Sequence, residues 1–172
     1  MTIRKVTAED TERFFRMLCR LDEETAFMLY EPGEREQRTK DLSRLSAKID
    51  VSDSDGDLLL AAVDDQKEIQ GFIWAERGKL NRILHTAYIV VGIRRAYRRQ
   101  GIGTEFFRRL DEWAKANGLT RLELTVECAN TAAIRLYEKH GFRVEGLRSG
   151  SVKVDGAPVD EYYVAKILNG TE

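Results

Sequence analysis

The chain has 172 residues, 42% hydrophobic and 33% charged, which is ordinary for a soluble fold with a substantial core. Its 28 basic and 29 acidic residues leave a net charge of -1, which argues against a general nucleic-acid or membrane-surface binder. No apolar run approaches a membrane span and no apolar signal region opens the chain. The two cysteines, Cys19 and Cys128, have no metal-ligand spacing. A cytoplasmic protein with reduced thiols and no metal is expected.

Residues 2–6 suit a short first strand. Thr7 and Asp10 form a capping-box pattern that opens a helix, with Phe14, Phe15, Leu18 and Leu21 on its apolar face. Glu31-Pro32-Gly33 breaks the chain, and a second helix is expected from about Glu34, with Leu42, Leu45 and Ile49 inward. Residues 50–57 read as an acidic loop. Residues 58–63 and 69–76 read as strands joined by a hairpin turn, and residues 84–91 continue an antiparallel meander. The run 84–91 is mostly β-branched, aromatic or small, so it is expected to be buried on both faces.

After that run the pattern changes. Arg94, Arg95, Arg98 and Arg99 lead into Gln100-Gly101-Ile102-Gly103-Thr104. A helix follows, with Phe106, Phe107, Leu110, Trp113 and Ala114 on one face, and Gly118 stops it. A helix start leaves backbone N–H groups unpaired and carries partial positive charge, and glycine lets a ligand approach the main chain. The product is an anion site suited to phosphate or pyrophosphate. A P-loop is excluded because no lysine follows Gly103, and a dinucleotide fingerprint because Phe106 stands where a third small residue belongs. Residues 121–126 then alternate as a strand. Asn130 can cap a helix that runs to about Lys139, Gly141 ends it, and residues 142–154 and 159–167 form a hairpin around Asp155-Gly156. No repeat or linker interrupts this order, so a single domain over residues 1–172 is expected.

Arg98-x-x-Gly101-x-Gly103 resembles the acyl-CoA pyrophosphate loop of the GNAT superfamily of N-acetyltransferases. Asn130-x-x-Ala133-x-x-Leu136-Tyr137-x-x-x-Gly141-Phe142 resembles the second acyl-CoA motif of the same superfamily, and the two occur in the family's order. The resemblance implies an α/β fold: a mixed six- to seven-stranded sheet with about four helices and splayed central parallel strands. It implies acetyl-CoA as co-substrate. Backbone groups of Ile89, Val90 and Val91 would pair with the pantetheine arm. The segment Arg98, Arg99, Gln100, Gly101, Ile102, Gly103 and Thr104 would hold the pyrophosphate, and Asn130, Ala133 and Tyr137 would complete the cofactor contacts.

The implied reaction is direct attack of a primary amine on the thioester, with Tyr137 donating to the departing sulfur and a strand N–H near Val90 or Val91 holding the oxyanion. Glu76 and Glu127 are the candidate bases, with His85 or a water chain as alternatives. In relatives the first helices and the terminal hairpin wall the acceptor site, which points to Phe27, Tyr30 and Glu31, with Met28, Glu34 and Tyr162 or Tyr163 nearby. The tail resembles relatives that acetylate ribosomal-protein N-termini, polyamines or amino-acid-like molecules, without choosing among them. The acceptor is therefore a small-molecule or peptide amine, with no nucleic-acid or membrane partner, and a homodimer is compatible. Two other readings fit the residues: a non-catalytic acyl-CoA-binding regulatory module, and a nucleotide binder using the glycine turn alone.

Overall fold

The computed structural model describes residues 1–168. Its elements follow the order β1 (Thr2–Lys5), α1 (Thr11–Glu24), α2 (Glu34–Arg38), α3 (Ser43–Ser52), β2 (Leu58–Val63), β3 (Ile69–Arg77), β4 (Thr86–Ile93), α4 (Ile102–Ala116), β5 (Arg121–Glu127), α5 (Thr131–Lys139), β6 (Arg143–Val154) and β7 (Ala157–Ile167). Hydrogen bonding links the seven strands in the order β1-β2-β3-β4-β5-β7-β6. This is the mixed α/β sheet expected, with a fifth α-helix. The chain forms two compact units: residues 1–76 with 90–106, and residues 77–89 with 107 onward.

In the first unit β1, β2 and β3 pair antiparallel, from Thr2↔Val63 to Lys5↔Leu60 and from Leu58↔Ala75 to Val63↔Ile69. Every residue of β2 is buried. Helix α1 covers this sheet because Phe14, Met17, Leu18 and Leu21 recur at helical spacing. Phe14 meets Phe72 edge-on at 5.3 Å and Trp74 at 6.2 Å. Gly92 lets the strand approach α1: a Cβ there would lie 2.7 Å from Leu21 Cδ1. Asp10 does more than cap. Only 1% exposed, its carboxylate accepts from Thr7 N–H at 3.1 Å, from Arg4 at 2.6 and 2.8 Å, and from Arg13 at 2.6 Å.

The helix expected from Glu34 is two helices. The Asp41 carboxylate accepts from Ser43 N–H at 2.9 Å, a local bond that competes with helix continuation and restarts the chain at α3. α2 buries no residue, so no core contact holds the two pieces in line. α3 also runs to Ser52, into the segment expected to be loop.

In the second unit, the parallel ladder between β4 and β5 covers Thr86↔Arg121, Ala87↔Leu122 and Tyr88↔Glu123, while β5 and β7 pair from Arg121↔Ile167 to Glu127↔Glu161. The β6–β7 hairpin turns at Asp155 and Gly156, with φ of 51° and 80°, as a two-residue primed turn requires. Gly118 ends α4 with φ 66°: Leu119 N–H donates to Ala114 O at 2.9 Å and Gly118 N–H to Lys115 O at 3.2 Å. That pair of bonds is a Schellman stop.

β4 differs from its expectation in bounds and burial. Ala87 and Ile89 are buried, whereas Tyr88 and Val90 are each 42% exposed. An apolar run reports compatibility with burial on both faces, but only the packing of other elements supplies the second cover.

Candidate functional site

The anion turn belongs to the first unit. A short helical turn at Arg95–Tyr97 follows β4, and the chain then takes two left-handed residues, Arg99 (φ 60°) and Gly101 (φ 83°), before α4 begins at Ile102. A Cβ at Gly101 would meet nothing within 4 Å, so the glycine is required by its backbone angle rather than by crowding. Glu105 N–H makes the first-turn bond to Gly101 O at 3.0 Å. The N–H groups of Ile102, Gly103 and Thr104 therefore lie at the helix start, where no intrahelical acceptor precedes them.

The four arginines do not act alike. Arg94 donates to Glu24 Oε1 at 3.0 and 2.8 Å and to Gln70 Oε1 at 3.1 Å, and Arg95 N–H donates to Glu24 Oε2 at 2.7 Å. The Arg94 guanidinium and the Arg95 main-chain N–H thus tie the strand end to Glu24 of α1. Arg98 ties its Nε to Ile93 O at 2.9 Å, and Gln100 donates to Ala96 O at 3.0 Å, which folds the turn. Arg98 and Arg99 are exposed and remain the cations of the turn.

The second motif belongs to the second unit. Asn130 Oδ1 accepts from Ala133 N–H at 3.2 Å and so caps α5. The far end of α5 is a second Schellman stop: Phe142 N–H donates to Tyr137 O and Gly141 N–H to Glu138 O, both at 3.0 Å, with Gly141 at φ 84°. The side-chain contact that accompanies such a stop is Tyr137 against Phe142, at 6.1 Å. Phe107 adds a third wall, 5.8 Å from Tyr137, 5.6 Å from Phe142 and 5.0 Å from the His140 ring. Much of the Leu-Tyr-x-x-x-Gly-Phe pattern thus fixes the orientation of one phenol. Tyr137 is 7% exposed. Burial, reinforced by the neighbouring Tyr88, raises its pKa above the usual phenol range. It stays protonated and so keeps an O–H to donate.

Of the two candidate bases, Glu76 is engaged by Lys48, whose Nζ sits 4.4 Å from the centre of the Trp74 ring. Glu127 lies opposite Glu161 across β5 and β7. Burial, then the Glu161 charge, pushes its pKa up. Glu161 in turn accepts from Arg148 at 2.7 Å and Ser151 Oγ at 2.8 Å. The His85 side chain is exposed, and its carbonyl takes the N–H of Thr120 and Arg121 at 2.9 and 3.2 Å.

The expected acceptor residues share one segment of the first unit. Phe27 is largely exposed and Tyr30 lies under Arg35 at 4.2 Å. Arg35 is held by buried Asp22 at 2.5 and 3.0 Å. Glu31 N–H donates to Glu34 Oε2 at 3.1 Å. Sequence reasoning missed Tyr88 and Thr125, whose hydroxyls meet at 3.0 Å in the second unit. The alternation of β5 was the available signal, since it sets Thr125 on the face opposite Leu124.

Among the described residues no group of three or more His, Cys, Asp and Glu could hold a metal, and no helix is long and apolar enough to cross a membrane.

The model of the acetyltransferase (GNAT) family matches residues 15–142. An L-amino acid N-acetyltransferase, AaaT of Escherichia coli K12, is 27% identical over 113 residues, 63% of this chain and 67% of that protein. A mycothiol acetyltransferase of Corynebacterium glutamicum is 39% identical over 80 residues, which is 46% of this chain but only 26% of that longer protein. Among solved structures, a GNAT-family acetyltransferase from Streptococcus pneumoniae superposes with a TM-score of 0.89 at 26% identity, covering 98% of this chain and 99% of the other. The yncA protein of Salmonella typhimurium, solved with acetyl-CoA, superposes at 0.84 with 20% identity over 100% of this chain and 96% of its own. The chain belongs to the acetyltransferase (GNAT) family.

Proposed function

We propose that this protein transfers the acetyl group of acetyl-CoA to a primary amine. The observation that carries the reading is the start of α4, where left-handed Arg99 and Gly101 precede three helix-start N–H groups. Such an array suits a diphosphate, and the exposed Arg98 and Arg99 add matching charge. The cofactor supplies an activated thioester.

Each of this chain's residues then has a defined task. The segment Arg98 to Thr104 holds the diphosphate, and the main chain of Ile89, Val90 and Val91 offers strand-type partners to the pantetheine amides. Asn130 commits Oδ1 to the α5 cap, so its amide NH2 is the group that donates to the pantetheine. An N–H of Val90 or Val91 stabilises charge on the carbonyl oxygen.

In the transfer, the neutral amine forms a C–N bond as the C–S bond breaks. Glu127 takes the amine proton, and Tyr137 O–H donates to the sulfur that leaves as thiolate. The raised pKa of Tyr137 makes complete proton transfer to that thiolate unfavourable, so Tyr137 acts as a hydrogen-bond donor. The raised pKa of Glu127 makes it a stronger base than an exposed carboxylate once it is ionised.

The test is CoA release from acetyl-CoA in the presence of diamines, amino acids and N-terminal peptides, alongside calorimetry with acetyl-CoA and ATP. Amine-dependent thiol release supports the reading. Binding of acetyl-CoA without turnover of any amine supports a regulatory module, and binding of ATP alone a nucleotide protein.

A further inference from the structure

β5 buries Leu122, Leu124 and Val126 and turns Arg121, Glu123 and Thr125 to the opposite face. The second unit holds a concavity of about 430 Å³ whose lining includes Arg121, Glu123 and Thr125 of that face with Tyr88, Glu145 and Tyr163, and also the buried Leu124 and Val164. This is the size of a pocket for a small molecule. The Tyr88 and Thr125 hydroxyls meet on its wall at 3.0 Å. Tyr88, on that wall, also adds to the rise in the Tyr137 pKa, after burial.

The charges of the concavity are arranged unequally. Arg121 donates Nε to Glu123 at 2.6 Å, and its two Nη atoms to Glu145 at 3.0 and 2.5 Å. Two carboxylates therefore surround one guanidinium, and the lining keeps an excess of negative charge. The guanidinium fork is already occupied, so an incoming carboxylate would have to displace Glu145 or Glu123. The aromatic surface points the same way. Tyr88 and Tyr163 are 42% and 50% exposed, and Arg148 already lies 5.2 Å from the Tyr163 ring centre. Exposed phenol rings attract cations.

We propose that this concavity receives the acceptor and selects a cationic amine that carries no carboxylate, such as a diamine. The assignment rests on the acetyl-transfer reading above and names its substrate class. It moves the acceptor-selecting surface from Phe27, Tyr30 and Glu31 to the second unit's sheet face.

The test compares cadaverine with L-lysine, which share a terminal amine and a five-carbon chain and differ by one carboxylate. kcat/KM is expected to be at least tenfold higher for cadaverine. Glu145→Gln and Glu123→Gln should each reduce that ratio by threefold or more, with acetyl-CoA Kd within twofold of wild type as the check on folding. L-lysine used as well as cadaverine by the wild-type protein would overturn the proposal, and that comparison needs no variant. A ratio unmoved in both folded variants would overturn it too. Turnover of other amines but not cadaverine overturns the acceptor class alone, whereas failure to bind acetyl-CoA overturns the acetyl-transfer reading on which it rests.

Discussion

Tyr137→Phe removes one oxygen and keeps the ring. The contacts with Phe107 at 5.8 Å and Phe142 at 6.1 Å involve the ring, so the packing survives. The Schellman bonds run through the Tyr137 carbonyl and are also kept. Stability should therefore change by less than about 1 kcal/mol. What is lost is a donor to a developing thiolate, a charge-assisted bond of about 1.5–3 kcal/mol. At ~1.4 kcal/mol per factor of ten, kcat should fall by roughly 10- to 150-fold. Acetyl-CoA should bind nearly as before, because the charge that Tyr137 meets exists only as the C–S bond breaks. Continuous thiol release gives kcat, and calorimetry gives Kd. Unchanged kcat would refute the donor role. A parallel loss of kcat and of acetyl-CoA affinity would show that the phenol is structural.

Three other outcomes follow from particular residues. Gly101→Ala places a Cβ in open space but at φ 83°, so the cost of about 1–2 kcal/mol is in the backbone, and acetyl-CoA affinity should fall more than the melting temperature does; equal affinity would contradict the role of the turn. The Glu127 pKa is raised in the folded protein, so the acid limb of kcat/KM should lie above the ordinary carboxylate range and disappear in Glu127→Gln; a limb that persists in the variant removes Glu127 as the base. The Asp10 carboxylate is held well below its usual range, chiefly by the Arg4 hydrogen bonds. Its contribution is thus present above the unfolded pKa of ~3.9 and is lost as pH falls below that value, so acid denaturation of Asp10→Asn should be less steep than that of wild type, with about 2 kcal/mol lost at neutral pH.

Short-range devices were legible in the sequence. Gly118, Gly141 and Asp155-Gly156 take positive φ where their neighbours end a helix or turn a hairpin, and these are properties of a few consecutive residues. The left-handed turn before α4 and the Asn130 cap of α5 were legible for the same reason, since each lies on one loop or one helix end. Features that join distant residues were not. Glu24 captures Arg94 across 70 positions and so takes a cation from the anion turn. Tyr88 finds Thr125 across 37 positions, and nothing local to residues 84–91 says that one face of that strand is open. The break between α2 and α3 rests on the Asp41 to Ser43 bond, a local signal outweighed by the apolar spacing of Leu42, Leu45 and Ile49.

The most direct measurement is a titration of the isotope-labelled protein with acetyl-CoA, following each backbone amide by NMR. The amides of Gly101, Ile102, Gly103 and Thr104 should show the largest downfield shifts at saturation, as donors that gain a diphosphate. A bound complex in which those amides stay still while others move would contradict the account at its foundation.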